Sequence, residues 1–192
     1  FYVDWEPSYY HNGYIDEIKI STKTATRLHI KSDTTDGSII FTDLSPKSHT
    51  ISRGGNVHHK TVAGLADSTI SFDGSGDWLN VPAKDWDFGE EDFTIECSFY
   101  VETLANTWLP KPGAVGLIAS VGDASGVADN GWALAYNEAG AIYFVVHKNE
   151  TTTVVALASG DDIIHEDTWY TVAVVREGEE ICLWLNGQKI KW

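Results

Sequence analysis

Two adjacent carboxylates, Asp16 and Glu17, sit inside an alternating run, YIDEIKI, over residues 14–20. A retaining glycoside hydrolase needs two carboxyl groups facing one cleft, about 5 to 5.5 Å apart. On a regular strand, neighbouring side chains point to opposite faces, so Asp16 and Glu17 are expected to be separated by the sheet. No other strand-like run carries a Glu-x-Asp-x-x-Glu pattern. His58 and His59 are neighbours in the same way, and the seven histidines show no His-Glu-x-x-His spacing, so both read as surface and edge residues rather than zinc ligands. Ser75 and Ser120 lack a Gly-x-Ser-x-Gly context. Gly74-Ser75-Gly76 reads as a turn, because no helix pattern follows it to make a phosphate cradle. The expectation is a protein without a catalytic set.

Sugar recognition asks for less: exposed aromatic rings to stack on pyranose faces, with Asp and Asn at loop tips to bond hydroxyls. Trp78, Trp108 and Trp132, together with Asp123, Asp129 and Asn130 in the loop between them, are the candidates. The competing role for each Trp is packing, since aromatic side chains dominate cores and interfaces alike.

The elements that must position these residues are strands. The 192 residues are 43% hydrophobic, enough for one sizeable core, and the aromatic content is 12%. Between Ser68 and Val101, Ile70 and Phe72 alternate with Thr69 and Ser71, and Leu79 and Val81 flank Asn80. Further on, Phe93, Ile95, Cys97 and Phe99 alternate with Thr94, Glu96 and Ser98. Period-two patterns of this kind mark strands with one face buried and one wet. Another runs from Asp167 to Arg176, where Trp169, Thr171, Ala173 and Val175 alternate with Tyr170, Val172 and Val174. Short strands are also expected at Leu28–Ile30 and Ile39–Phe41, and further strands at residues 115–121, 132–137, 141–147, 152–158 and 181–185. No long amphipathic helix pattern occurs, so an all-β, two-sheet antiparallel sandwich is expected.

The formal charge of −15 disfavours nucleic acid, whose phosphates need a basic surface. No run reaches the ~18 consecutive apolar residues of a membrane span, so no membrane insertion is expected. Methionine is absent even at position 1, as expected of a piece of a longer polypeptide. Cys97 falls on the inward face of its strand and Cys182 on the outward face of another, so two free thiols are expected.

Five segments together resemble laminin-G-like domains of the concanavalin A-like superfamily. They are SFDGSGDWLNVP (71–82), DFGEEDFTIECSFYV (87–101), GWALAYNEAGAIYF (131–144), DTWYTVAVVREGEEICLWLNG (167–187) and GYIDEIKI (13–20). The resemblance implies a jelly-roll sandwich. With Lys47-Ser-His-Thr50 and Gly55-Asn56 ahead of the FDG turn, the chain looks most similar to domains in bacteriophage structural proteins and bacterial surface proteins. One feature departs from the family, in which GYIDEIKI is normally the last strand. Residues 1–25 are therefore either the terminal strands of a preceding module, with the polar stretch Ser21–Thr26 as a joint, or a permuted part of the same sandwich as residues 26–192. In both cases a strand of this type, from this chain or a neighbour, is expected to complete the sheet.

In related sandwiches an Asp of that strand often holds a structural calcium. Asp16 occupies the matching position, with Asp33 or Asp36 as partner, and calcium is the one cofactor the resemblance implies. The function expected is a non-catalytic structural or adhesive module on a cell or virion surface, partnered by other copies or neighbouring modules. The alternative is a calcium-dependent module that binds a surface glycan.

Overall fold

The structure is a computed structural model that describes residues 10–82, 86–104, 114–120, 131–149 and 152–190. Among these residues there is no helix, and every ladder is antiparallel. In chain order the strands are β1 (Asn12–Thr22), β2 (Thr26–Ile30), β3 (Ser52–Gly54), β4 (His58–Thr61), β5 (Ser68–Asp73), β6 (Trp78–Asn80) and β7 (Phe93–Val101). They continue with β8 (Ala114–Ser120), β9 (Trp132–Asn137), β10 (Ile142–Asn149), β11 (Thr152–Ala158), β12 (Thr168–Glu177), β13 (Glu180–Leu185) and β14 (Gln188–Lys189).

The large sheet runs β14-β13-β12-β7-β1-β5-β4, and β2 also pairs with β1. The second sheet runs β11-β10-β9-β8, and β3 and β6 form a separate ladder. The two main sheets pack face to face over one core. Ile15, Ile18, Ile95, Phe99, Val172 and Leu183 come from one side, and Leu134, Tyr136, Ile142 and Phe144 from the other. Phe99 lies nearly parallel to Tyr136 across the interface, with ring centroids 6.0 Å apart.

β1 is central. One edge pairs with β7 along most of its length; the other is shared in succession by β5, at Asn12 to Ile15, and β2, at Ile18 to Ser21. Residues 23–25 are the turn of the β1–β2 hairpin, closed by the Thr22 amide donating to the Ala25 carbonyl at 2.8 Å. The GYIDEIKI strand thus belongs, within this chain, to the same sheet as β7 and β12.

Strict alternation fails inside β1. The register shifts between Ile15, opposite Phe99, and Ile18, opposite Cys97. Asp16 and Glu17 together face the single residue Ser98, which is a β-bulge. Ile15 and Ile18 are both buried, at 2% and 1% exposure, so the two carboxylates between them share the outer face. The opposite-face expectation is corrected by this extra residue.

Local chemistry fixes the corners. In the FDGSGD turn, Asp77 accepts from the Asn56 amide at 2.5 Å and the Asp73 amide at 2.8 Å, tying β3 to the β5–β6 connection. Asp43 is buried and takes five bonds, from the amides of His29, Ser45 and His49, the Ser45 hydroxyl and the His49 ring. Residues Ile39–Phe41 are not a strand. Instead the flanking Gly37 and Ser38 bond His59 on β4, and Ile39 and Ile40 are 52% and 76% exposed.

Candidate functional site

Alternation on β7 sends Phe93, Ile95, Cys97, Phe99 and Val101 inward and leaves Thr94, Glu96, Ser98 and Tyr100 on the outer face of the large sheet. Across the ladder to β12 these stand opposite Val175, Ala173, Thr171 and Trp169. Tyr14 on β1 stands opposite Tyr100, and the row Tyr14–Tyr100–Trp169 has successive ring centroids 5.6 and 5.5 Å apart. Such cross-strand aromatic pairs stiffen the sheet. Lys60 lies over the Tyr14 ring, and the Tyr14 hydroxyl donates to Glu102 at 2.5 Å.

Beside that row the outer face is hollowed. One hollow is lined by Asp16, Leu65, Ser98, Trp169, Thr171 and Asn186. A second, lined by Thr94, Glu96, Thr171, Ala173 and Trp184, adjoins it through the shared Thr171. Small and hydroxyl residues make the floor, and a half-buried Trp flanks each hollow. The Ser98 and Thr171 hydroxyls lie 3.3 Å apart. Asn186 accepts from the Thr171 amide at 2.9 Å through Oδ1, which leaves its Nδ2 as a donor at the rim.

Asp16 is the carboxylate of the first hollow, and Glu96 that of the second. Partial burial, and then the negative charges of Glu17, Asp33 and Asp67, hold the Asp16 carboxyl above the usual carboxylate range, with Lys31 opposing. Glu17 is engaged by the His29 ring at 2.6 Å, and Glu96 by Lys19 at 3.3 Å.

Of the calcium candidates, Asp33 lies near enough to Asp16 to help raise the pKa of its carboxyl. Asp33 pairs with Lys31 at 2.9 Å, and Asp36 caps the Thr61 amide at 2.7 Å. Among the described residues no three acidic, His or Cys side chains converge to hold a metal ion.

Of the sugar candidates, Trp78 and Trp132 fall among the described residues. Trp132 is a core residue at 6% exposure, donating to the Trp86 carbonyl at 3.2 Å and packed on Phe88 and Phe144, so it has no face for a ligand. Trp78 is half-buried with its indole laid against Gly54, where an added Cβ would meet the ring at 2.2 Å. Trp108, Asp123, Asp129 and Asn130 lie outside the described residues.

Two further expectations meet the structure. His59 is not a surface residue: it is 1% exposed, bonded to Ser32 at 2.6 Å and the Ile40 carbonyl at 3.0 Å, and stacked on Phe41. Cys97 and Cys182 are free thiols. Burial pushes the Cys97 thiol up to about 12, so it is inert.

The sequence reading missed Trp169, Thr171, Asn186 and Trp184 as a group. Their signal was present in the alternation, which places Trp169, Thr171 and Ala173 on one wet face of β12.

A family model described as concanavalin A-like lectin/glucanases superfamily matches residues 73–191, from the FDG turn through β14. That is well over half of the chain. The protein belongs to the concanavalin A-like lectin/glucanases superfamily. No curated protein and no solved structure matches it. Within this superfamily member, β1 lies outside the matched residues yet fills the middle of the large sheet, between β5 and β7. The groove therefore draws Asp16 from one part of the chain, and Ser98, Trp169, Thr171, Asn186 and Trp184 from the part that carries the family signature.

Proposed function

We propose that the chain is a non-catalytic adhesive module displayed on a cell or virion surface, and that its contact face is the outer face of the large sheet. The groove floored by Ser98 and Thr171 and flanked by Trp169 and Trp184 carries this reading. Trp side chains that keep part of their surface open on a rigid sheet are favoured at contact surfaces. The acidic surface, with a net charge of −15, keeps such a module soluble and away from phosphate-rich partners.

A non-catalytic role is supported by the occupation of the neighbouring carboxylates. Glu17 is held by His29 and Glu96 by Lys19, so neither sits beside Asp16 as an uncommitted second acid.

Two experiments test this. Antibody against the domain should label intact source cells or particles without lysis; labelling only after lysis would overturn the surface assignment. Thr171→Gln, which adds bulk at an exposed floor position, should weaken attachment of the protein to its target surface. Unchanged attachment would overturn the choice of face.

A further inference from the structure

We propose that Cys182 and Lys189 form a reversible covalent cross-link when the protein meets hydrogen peroxide, a sulfur–nitrogen bond that ties β13 to β14. The proposal is independent of the groove. It rests on three side chains that the last hairpin brings together at the edge of the large sheet.

Strand pairing builds the cluster. β13 and β14 are the two arms of the Asn186-Gly187 hairpin, with Trp184 opposite Lys189. Residues opposite each other in a ladder share a face, and so do residues two apart on one strand. Glu180, Cys182, Trp184 and Lys189 therefore lie on the outer face, while Leu183 and Leu185 enter the core. The Cys182 thiol donates to Glu180 Oε1 at 3.2 Å, and Lys189 Nζ donates to the same oxygen. Lys189 also hydrogen-bonds the Cys182 sulfur. A thiol, an amine and a carboxylate are thus in mutual contact.

The two cysteines differ in what reaches them. Cys97 points into the core from β7. Cys182 is 8% exposed, but the two side chains bonded to it, Glu180 and Lys189, extend into solvent. A solute as small as peroxide can arrive from that side. Because Cys97 lies on the opposite face of the sheet, no second thiol of the chain competes, and Lys189 is the nucleophile at hand.

The chemistry balances within the cluster and one oxidant. The sulfur attacks peroxide: an S–O bond forms, the O–O bond breaks, and the thiol proton passes through Glu180 to the departing hydroxide, giving a sulfenic acid and water. Lys189 then loses one proton through Glu180 to solvent and attacks the sulfur. The S–N bond forms, the S–O bond breaks, and the leaving hydroxide takes the second nitrogen proton as water. Sulfur is oxidised by two electrons and the peroxide is reduced to two water molecules. Condensation of a sulfenic acid with a backbone nitrogen follows the same course. A thiol reductant reverses it by attack on the sulfur.

The test is a peroxide titration of the full chain, read by intact mass and tryptic mapping, with dimedone in a parallel arm to trap free sulfenic acid. The expected product is lighter by about 2 mass units, the two hydrogens lost, and regains them with dithiothreitol. Tryptic cleavage after Lys189 should be lost, placing the link within residues 177–191. Lys189→Arg keeps the charge but lacks the nucleophilic amine. It should lose the bridge and show a dimedone adduct on Cys182 instead, with circular dichroism establishing that it folds. An equal dimedone adduct in the parent and in Lys189→Arg would overturn the bridge. A product heavier by about 14 mass units, with oxygen retained between sulfur and nitrogen, would overturn the direct bond. A Cys182 thiol left intact at peroxide levels that oxidise glutathione would overturn its reactivity.

Discussion

Ile15 and Ile18 are three residues apart and both point into the core, because Asp16 and Glu17 bulge out together opposite Ser98. The bulge re-aims a carboxylate pair from opposite faces to one face and delivers Asp16 to the groove. It also fixes which half of β1 pairs with β5 and which with β2. Bulges bend the strand and raise its local twist, a device that often serves a site.

Removing one bulge residue should therefore be milder than truncating a core side chain. Ile18→Ala is expected to cost about 2–5 kcal/mol, the range for emptying a fully packed position. Deleting Glu17 leaves Asp16 alone opposite Ser98 and returns the strand to regular alternation with Ile15 and Ile18 still inward. Urea titrations followed by Trp fluorescence would show this order. A deletion costlier than Ile18→Ala would refute the bulge.

Gly13, the second residue of β1, has φ 146, and a Cβ there would sit 2.0 Å from the Tyr100 carbonyl oxygen. Gly76, in the FDGSGD turn, has φ 76 with open space around it. Gly13→Ala should destabilise by about 3 kcal/mol, the upper end of ordinary single substitutions, and Gly76→Ala by about 1–2 kcal/mol of backbone strain alone. Equal losses in thermal unfolding would mean that β1 and β7 approach less closely than described.

Most of the strands were legible because burial writes itself as period two in β7 and β12. The bulge was written too, as an Ile spacing of three then two, but the adjacent acidic pair drew attention to alternation rather than to its failure. Trp132 and Trp169 show what alternation cannot decide. Both lie on strands with aromatic side chains, and only the packing of β9 on the opposite sheet makes Trp132 core and Trp169 surface. Ile39, Ile40 and His59 reversed roles for a long-range reason. The His59 ring is satisfied by Ser32 and the Ile40 carbonyl, 27 and 19 residues away, so the polar ring is buried and the two isoleucines beside that carbonyl are left outside.

Stability should fall in mild acid through His11. Its ring is fully buried, bonded to the Tyr136 hydroxyl at 3.0 Å, and burial lowers its pKa from 6.5 to about 4. The unfolded state binds a proton between those values and the folded state does not. The contribution is therefore complete above pH 6.5 and is lost as pH falls toward 4. The full difference is about 3 kcal/mol at 1.36 kcal/mol per pH unit. His11→Gln should flatten the slope of unfolding free energy over that window, and an unchanged slope would assign it to other groups.

Asp43 should be among the least replaceable side chains on the β2–β3 connection. Burial raises its pKa, but the amides of His49, Ser45 and His29, with the His49 ring, outweigh that and hold its carboxyl below the usual range. Asp43→Ala strands those donors and should cost about 3–5 kcal/mol, as for a broken buried charge pair. Amide exchange would show faster opening at residues 44–49 than at β7; uniform protection would refute the anchoring role.

Asp16 should behave in the opposite sense. Its carboxyl is held above the ordinary value of 3.8 by burial and by Glu17 and Asp33, so ionising it in the folded state is unfavourable. Asp16→Asn removes that penalty. The variant should melt higher than the parent above the raised pKa, and its advantage should shrink as pH falls through that pKa and vanish below 3.8, where the parent is protonated in both states. A residue that lowers stability while lining a groove is the pattern of a position kept for contact rather than for folding. Differential scanning calorimetry at neutral and acid pH checks the sign, and a lower neutral melting temperature for Asp16→Asn would show that the carboxylate is stabilising where it stands.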